Sequence, residues 1–156
     1  MKLYLRKMPG GQLIPDDDDA VEGLQKIKAG KVVSAEIVQI RNYEFHKKFF
    51  ALIGIAFDLW SDTAEMPVYK GQRVQPNKTR FRKDITILAG YGYPVSDVNG
   101  NVHMEAESIS FANMDAERFE EVYSSVIDVI LTKVLARSGL TETALREQVD
   151  RVMGFA

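Results

Sequence analysis

The sequence predicts an α+β fold, in which a small mixed sheet with a β-hairpin is packed by a central amphipathic helix and a long late helix. Apolar residues recur with helical spacing in two long stretches, at residues 43–60 and 114–136. Residues 32–40 form a β-branched run that is typical of a strand. The dipeptide Asn99-Gly100 is a strong signal for a two-residue hairpin turn.

Length and composition limit the class of protein. A chain of 156 residues fits one domain, and residues 137–156 are expected to form a helical appendage to it. The composition, 46% hydrophobic and 27% charged, excludes collagen and low-complexity sequence. The absence of cysteine excludes disulfides and thiolate metal sites. Residues 49–60, the longest strongly apolar stretch, are too few to span a bilayer, and the N-terminal apolar run is too short for a secretory signal. We therefore expect a cytoplasmic protein with no membrane partner.

The first elements, in chain order, are a strand at residues 2–7, a turn at 9–11, a helix at 20–29 and a strand at 32–40. Leu3 and Leu5 alternate with polar neighbours, as in a half-buried strand. Four aspartates at residues 16–19 suit the positive end of the helix dipole, and Gly30 is placed to end that helix.

The central helix has the clearest apolar stripe in the chain. Asn42 is a residue type that caps helix N-termini. The residues of the stripe are Phe45, Phe49, Leu52, Ile53, Ala56, Leu59 and Trp60. This spacing places His46, Lys47 and Lys48 on the exposed side, with both lysines pointing away from the core.

A long connection at residues 61–77 separates the central helix from a segment at 79–89. Phe81, Ile85 and Leu88 favour a helix for this segment, although alternation also permits a strand. The hairpin is expected to join strands within residues 90–97 and 101–111.

Asn113 is expected to cap the late helix at residues 114–136, and Thr141 a final helix that follows Gly139. Residues 126–135 are apolar on nearly all sides of the helix, which indicates burial on more than one side. In a chain of this size a second protomer is a plausible cover, so we predict a homodimer with these residues at its interface.

The net charge of −2 conceals an uneven distribution. Residues 34–83 carry nine basic and five acidic residues, whereas residues 84–156 carry five and twelve. Six cations fall within residues 70–83 with no acid among them: Lys70, Arg73, Lys78, Arg80, Arg82 and Lys83. Such a run attracts phosphates, and Tyr69 and Phe81 are interleaved with it as rings that could stack on bases. The alternative is a solvated basic loop balanced by the acidic third.

Motifs for chemistry are absent from the sequence. It contains no phosphate-binding loop, dinucleotide-binding glycine pattern, His-Glu-x-x-His motif or nucleophile elbow. We therefore assign no catalytic residue, metal ligand or cofactor, and leave enzyme activity open. A metal-dependent nuclease is one alternative, since Glu105 and Glu107 would share one face of a strand, but such residues are also ordinary outward positions of a hairpin.

Two short segments carry a family resemblance. Residues 40–52 resemble an uncharacterised family of proteins from lambda-like phages and prophages. More distantly, the order of elements is similar to the NinB or Orf recombination-mediator family. The matching positions are Arg41 and Asn42, then Lys47 or Lys48, then Phe50-Ala51-Leu52, and residues 114–122 resemble the start of that family's late helix.

This resemblance implies a homodimer in the bacterial host cell that binds single-stranded DNA, works with the host single-strand-binding protein and assists recombinase loading. The sequence thus predicts a DNA-binding accessory protein of recombination or replication, with Arg41, Lys47, Lys48, the six cations of residues 70–83, Tyr69 and Phe81 on its basic surface. The alternative is an interaction or inhibitor protein that acts on a host DNA-metabolism enzyme through its acidic late helices.

Overall fold

The fold is α+β, as predicted. A computed structural model describes residues 1–39 and 42–154, and this part of the chain has five α-helices and six short strands, which pair as three antiparallel hairpins. The predicted mixed sheet is thus replaced by separate two-stranded ribbons. The sequence predicted one domain, and the structure groups the chain into two compact units, Met1–Val38 and Gln39–Ala156. Among the described residues, no helix is long and apolar enough to cross a membrane.

The first unit consists of β1 (Leu5–Lys7), β2 (Leu13–Pro15) and α1 (Asp18–Gln25). The aspartate cluster caps the helix as predicted, because the Asp17 carboxylate accepts a 2.7 Å hydrogen bond from the Ala20 amide. Gly23 lies where a β-carbon would be only 2.5 Å from Cδ2 of Leu3, so a larger residue there would require the Leu3 side chain to shift.

The predicted second strand is wrong over the residues that the structure describes. Residues 32–39 form no strand, and Val32 and Ile37 are 99% and 73% exposed. Ile40 lies outside the described residues. A β-branched run becomes a strand only when another strand supplies its hydrogen bonds and packing, and no such partner pairs with residues 32–39 in the described chain. The strand propensity of residues 32–39 was therefore not enough to predict their conformation.

The second unit contains the remaining elements. Its helices are α2 (Tyr43–Thr63), α3 (Lys78–Leu88), α4 (Ala116–Val129) and α5 (Glu142–Met153). Its hairpins pair β3 (Val68–Tyr69) with β4 (Gln72–Arg73), and β5 (Gly92–Ser96) with β6 (Val102–Ala106). A 3₁₀ turn at Phe111–Asn113 precedes α4, and a π-helical turn at Ile130–Val134 follows it.

The core of the second unit draws on all four of its helices. Most of the predicted apolar face of α2 is buried, and Leu52 and Ile53 are fully inaccessible to solvent, but Leu59 of that face is exposed. Phe81 and Ile85 of α3 join the same cluster. Residues 137–156 were expected as an appendage, but Leu145 and Val149 of α5 are buried in this core.

The β5–β6 hairpin turns at Asn99-Gly100 as predicted, but its loop has three residues instead of two, because the Asp97 amide donates to the Asn101 carbonyl and leaves residues 98–100 between them. Asp97 organises this turn by accepting hydrogen bonds from the Asn99 and Asn101 amides at 2.8 and 2.9 Å. Its other carboxylate oxygen lies 2.9 Å from His103 Nε2. The hydrogen bonds from His103 and then from Asn101 lower the pKa of Asp97 to about 2.

The late helix differs from its prediction at both ends. Asp115, not Asn113, caps it, and the α-helix ends at Val129 before the π-helical turn. The broad apolar stripe at residues 126–135 is packed within the core of the same chain, with Val126 and Ile130 fully buried. The same chain therefore buries the stripe, and no second protomer is needed to cover it. The homodimer stays a prediction, but the stripe no longer supports it.

Asn42 occupies the predicted N-cap position of α2 but uses its side chain differently. Its amide makes no capping bond and instead donates to the carbonyl oxygens of Met114 and Phe111, at 2.8 and 3.3 Å. Asn42 adopts a left-handed backbone with φ of 54°, which asparagine tolerates better than most residues. The start of α2 is thereby tied to the segment that leads into α4.

We expect Asn42→Ala to lower the free energy of unfolding by about 1–3 kcal/mol, because it removes both tertiary hydrogen bonds and places alanine in a left-handed conformation. Urea denaturation measures the change. The matched control is Asn113→Ala, which loses one exposed hydrogen bond to Ser110 and should change stability by less than about 0.5 kcal/mol. Equal effects of the two substitutions would contradict this role for Asn42.

Candidate nucleic-acid interface

The helix that carries most of the predicted cations is α3, and its burial pattern divides them between two sides. Asn77 caps it, accepting a 2.8 Å hydrogen bond from the Arg80 amide. Phe81 and Ile85 are buried and fix the side of α3 that faces the core. With 3.6 residues per turn, Lys78 and Arg82 then share one side of the helix.

The cations on the other side of α3 are paired with acids. Arg80 lies 2.6 Å from the Asp84 carboxylate, one turn along the same helix. Lys83 Nζ lies 3.7 Å from the Glu105 carboxylate on β6. These pairs are exposed and individually weak, but they leave little uncompensated positive charge on this side of the helix.

Lys78 and Arg82 lie instead along α2. The guanidinium of Arg82 lies over the Phe50 ring, 5.8 Å from its centroid. Lys78 Nζ lies 3.5 Å from the position that a β-carbon on Gly54 would occupy. Within residues 1–39 and 42–154, neither cation forms an ion pair with an acid.

Three rings stack along the same edge of α2. The centroids of Tyr43 and His46 are 5.9 Å apart, and those of His46 and Phe50 are 4.4 Å apart, with interplanar angles of 13° and 23°. Lys47 Nζ lies over Tyr43 at 5.8 Å from its centroid. His46 was predicted on the exposed side, but it is only 8% exposed because its ring is held between those of its helical neighbours and also meets Phe111.

These residues lie along one edge of α2, and we call them the cationic ring face. It comprises Tyr43, His46, Lys47 and Phe50 of α2 together with Lys78 and Arg82 of α3. Lys47, Arg82 and Lys78 lie beside α2 at the levels of residues 43, 50 and 54 respectively. At 1.5 Å per residue, these positions span about 16 Å along the helix axis. Tyr43 and Phe50 are half-buried, so parts of both rings face solvent. The surface therefore offers positive charges and aromatic groups side by side.

Lys48 belongs to a different cluster. Its ammonium lies over the buried ring of Tyr123, 4.9 Å from the centroid, and Arg146 lies 5.2 Å from the same centroid. Arg146 donates a 2.7 Å hydrogen bond to Glu120. Burial opposes ionisation of Glu120, but hydrogen bonds from Arg146 and Ser124 outweigh it and lower its pKa. The prediction that Lys48 points away from the core is therefore wrong.

The other predicted site residues fall into three groups. Tyr69, Lys70 and Arg73 lie on the β3–β4 hairpin and are exposed, with Lys70 Nζ 5.4 Å from the Tyr69 ring centroid. Phe81 is only 6% exposed and packs on Trp60 and Phe57, so it is a core residue and not a stacking surface. Arg41 lies outside the described residues.

Some of the acidic side chains of the late helices form ion pairs with arginines. Arg146 pairs with Glu120 and Glu142, and Arg118 pairs with Glu121. In the described ranges, no three histidine or acidic side chains lie close enough together to hold a metal ion. Glu105, one of the carboxylates considered for a nuclease, is the partner of Lys83.

Fold and surface together define a small α+β protein with an aromatic, positively charged face. The chain belongs to the family described as protein of unknown function (DUF1367), whose profile matches residues 1–71 and 70–155. This confirms the predicted membership of an uncharacterised family. Among solved structures, a structural-genomics protein described as NinB is similar, with 18% sequence identity, a TM-score of 0.39 and coverage of 94% of this chain and 98% of that chain. No curated protein matches the sequence.

The cluster beside the cationic ring face yields a stability prediction. Tyr123 is fully buried, and its hydroxyl has no hydrogen-bond partner in the described part of the chain. We expect Tyr123→Phe to leave the free energy of unfolding unchanged or to raise it by up to about 1–3 kcal/mol, because the substitution removes an unsatisfied polar group and keeps the ring.

Thermal or urea unfolding of Tyr123→Phe, compared with Tyr93→Phe on the exposed strand β5, measures this effect. The Tyr93 control should stay within about 0.5 kcal/mol of the parent. A clear destabilisation by Tyr123→Phe alone would mean that the hydroxyl makes a bond that the structure does not contain.

Proposed function

We propose that the protein binds single-stranded DNA through the cationic ring face. The observation that carries the proposal is the separation of the α3 cations: Lys78 and Arg82 lie along α2 and pair with no acid among the described residues, whereas Arg80 and Lys83 are paired with acids. Unpaired cations are available to phosphates without first breaking an ion pair. The resulting surface follows the axis of α2, as a groove for an extended strand would.

Aromatic groups beside the cations favour a single strand over a duplex as the ligand. Bases in a duplex are stacked on one another, whereas those of a single strand are free to stack on protein rings or on an arginine plane. Tyr43 and the Arg82 guanidinium are planar groups of this face suited to such contacts. Such contacts depend little on base identity, so we expect weak sequence preference.

The biological setting of this proposal is an accessory role in phage recombination or replication. It rests on the sequence resemblance to the NinB or Orf family within residues 41–52 and 114–122, as do the proposed homodimer and the proposed contact with the host single-strand-binding protein. The DNA-binding proposal itself stands on the residues of the cationic ring face and can be tested without those partners.

The test compares two double variants of the same helix that remove equal charge. Lys78→Gln with Arg82→Gln removes the cations that lie along α2, and Arg80→Gln with Lys83→Gln removes the cations paired with acids. We expect the first variant to weaken binding of a labelled single-stranded oligonucleotide by about tenfold at about 50 mM salt, and the second to weaken it much less. Fluorescence anisotropy measures both.

The salt dependence gives a second readout of the same contacts. If Lys47, Lys78 and Arg82 contact phosphates, a plot of the logarithm of the affinity against the logarithm of salt concentration should have a slope of about −2. The first variant removes two of these contacts, so its slope should be shallower by about 1.4. Duplex DNA and single-stranded RNA are the comparison ligands. No binding at tens of micromolar protein would overturn the proposal, and equal losses in both variants would overturn the assignment to this face.

A further inference from the structure

A cleft of about 640 Å³ lies at the opposite end of α2 from the rings. Its walls come from the last turns of α2, the π-helical turn and the loop after it, and α5. Trp60, Val134 and Leu140 provide apolar surface, Lys133 and Arg137 provide positive charge, and Gln148 of α5 provides an amide. The volume lies within the range of about 300–1,000 Å³ that is typical of small-molecule sites.

The π-helical turn shapes one wall of this cleft. The Leu135 amide donates a 2.7 Å hydrogen bond to the Ile130 carbonyl, five residues back, so the helix widens by one residue as it ends. Leu135 remains buried while Lys133 and Arg137 on either side of it are exposed. Turns of this kind are uncommon in α-helices and occur frequently at functional sites.

The charge of the cleft is unusual for this part of the chain. Residues 84–156 carry five basic and twelve acidic residues, yet none of the described residues that line the cleft is acidic. Lys133 and Arg137 form no ion pair with any described residue, whereas Arg118 and Arg146 in the same third of the chain are both paired. The cleft therefore combines an apolar wall with two uncompensated cations.

We propose that this cleft binds a small organic anion with a flat apolar body, such as an arylalkyl carboxylate. The body lies against Trp60, Val134 and Leu140, and the carboxylate is held by Lys133 and Arg137. Arginine favours a carboxylate because its planar guanidinium can donate two parallel hydrogen bonds to it. The site is separate from the cationic ring face, because the two share no residue and the face ends at the level of residue 54, about 9 Å along the axis of α2 before Trp60.

Trp60 provides a direct readout because it is the chain's single tryptophan. The experiment titrates the full chain with 4-phenylbutyrate and, in parallel, with the neutral isostere 4-phenylbutanamide, and follows tryptophan fluorescence. We expect saturable binding of the acid with an affinity about tenfold or more above that of the amide, as a charge-assisted contact requires.

The variant Lys133→Gln with Arg137→Gln should remove the preference for the acid while keeping the weak binding of the amide. Lys26→Gln with Lys28→Gln, an equal charge change on the exposed surface of the first unit, should leave the preference intact. Acid and amide binding equally to the parent, or an unchanged preference in the cleft variant, would overturn the proposal. So would the absence of saturable change at millimolar ligand.

Discussion

The packing of Phe81 against Trp60 and Phe57 is the contact on which the candidate interface depends. It buries Phe81 between α3 and α2, with ring centroids 5.0 and 5.5 Å apart. Once the position of Phe81 is fixed, helical geometry places Lys78 and Arg82 along α2. It places Arg80 on the other side of α3, where it pairs with Asp84. A contact within the core therefore decides which cations are available at the surface.

The same contact also determines how the cations of residues 70–83 are distributed over the surface. As a linear sequence it is six cations without an acid, but folding divides it into parts with different surroundings. Tyr69, Lys70 and Arg73 are exposed on a hairpin, Arg80 and Lys83 are paired with acids, and Lys78 and Arg82 lie along α2. Local charge density in the sequence thus overstates the charge that any one surface offers to a ligand.

Local signals predicted the parts of the fold that are determined locally. The periodicity of α2 and α3 and the Asn99-Gly100 turn were sufficient because burial and turn chemistry act within a few residues. The strand predicted at residues 32–40 would have required a pairing partner distant in sequence, which propensity does not contain. Tyr43, His46 and Phe50 recur at intervals of three and four residues, which is the spacing of one helix edge. The sequence did not predict their stack because none of the three belongs to the main apolar stripe of α2.

The central claim is that a single strand runs along the rings of α2. Photo-cross-linking of a single-stranded oligonucleotide that carries 5-iodouracil, followed by mass spectrometry of the cross-linked peptides, tests the location directly. We expect cross-links at Tyr43 or Phe50, the half-buried rings beside Lys47 and Arg82. Cross-links confined to Tyr69 on the exposed hairpin, with none on α2, would contradict it.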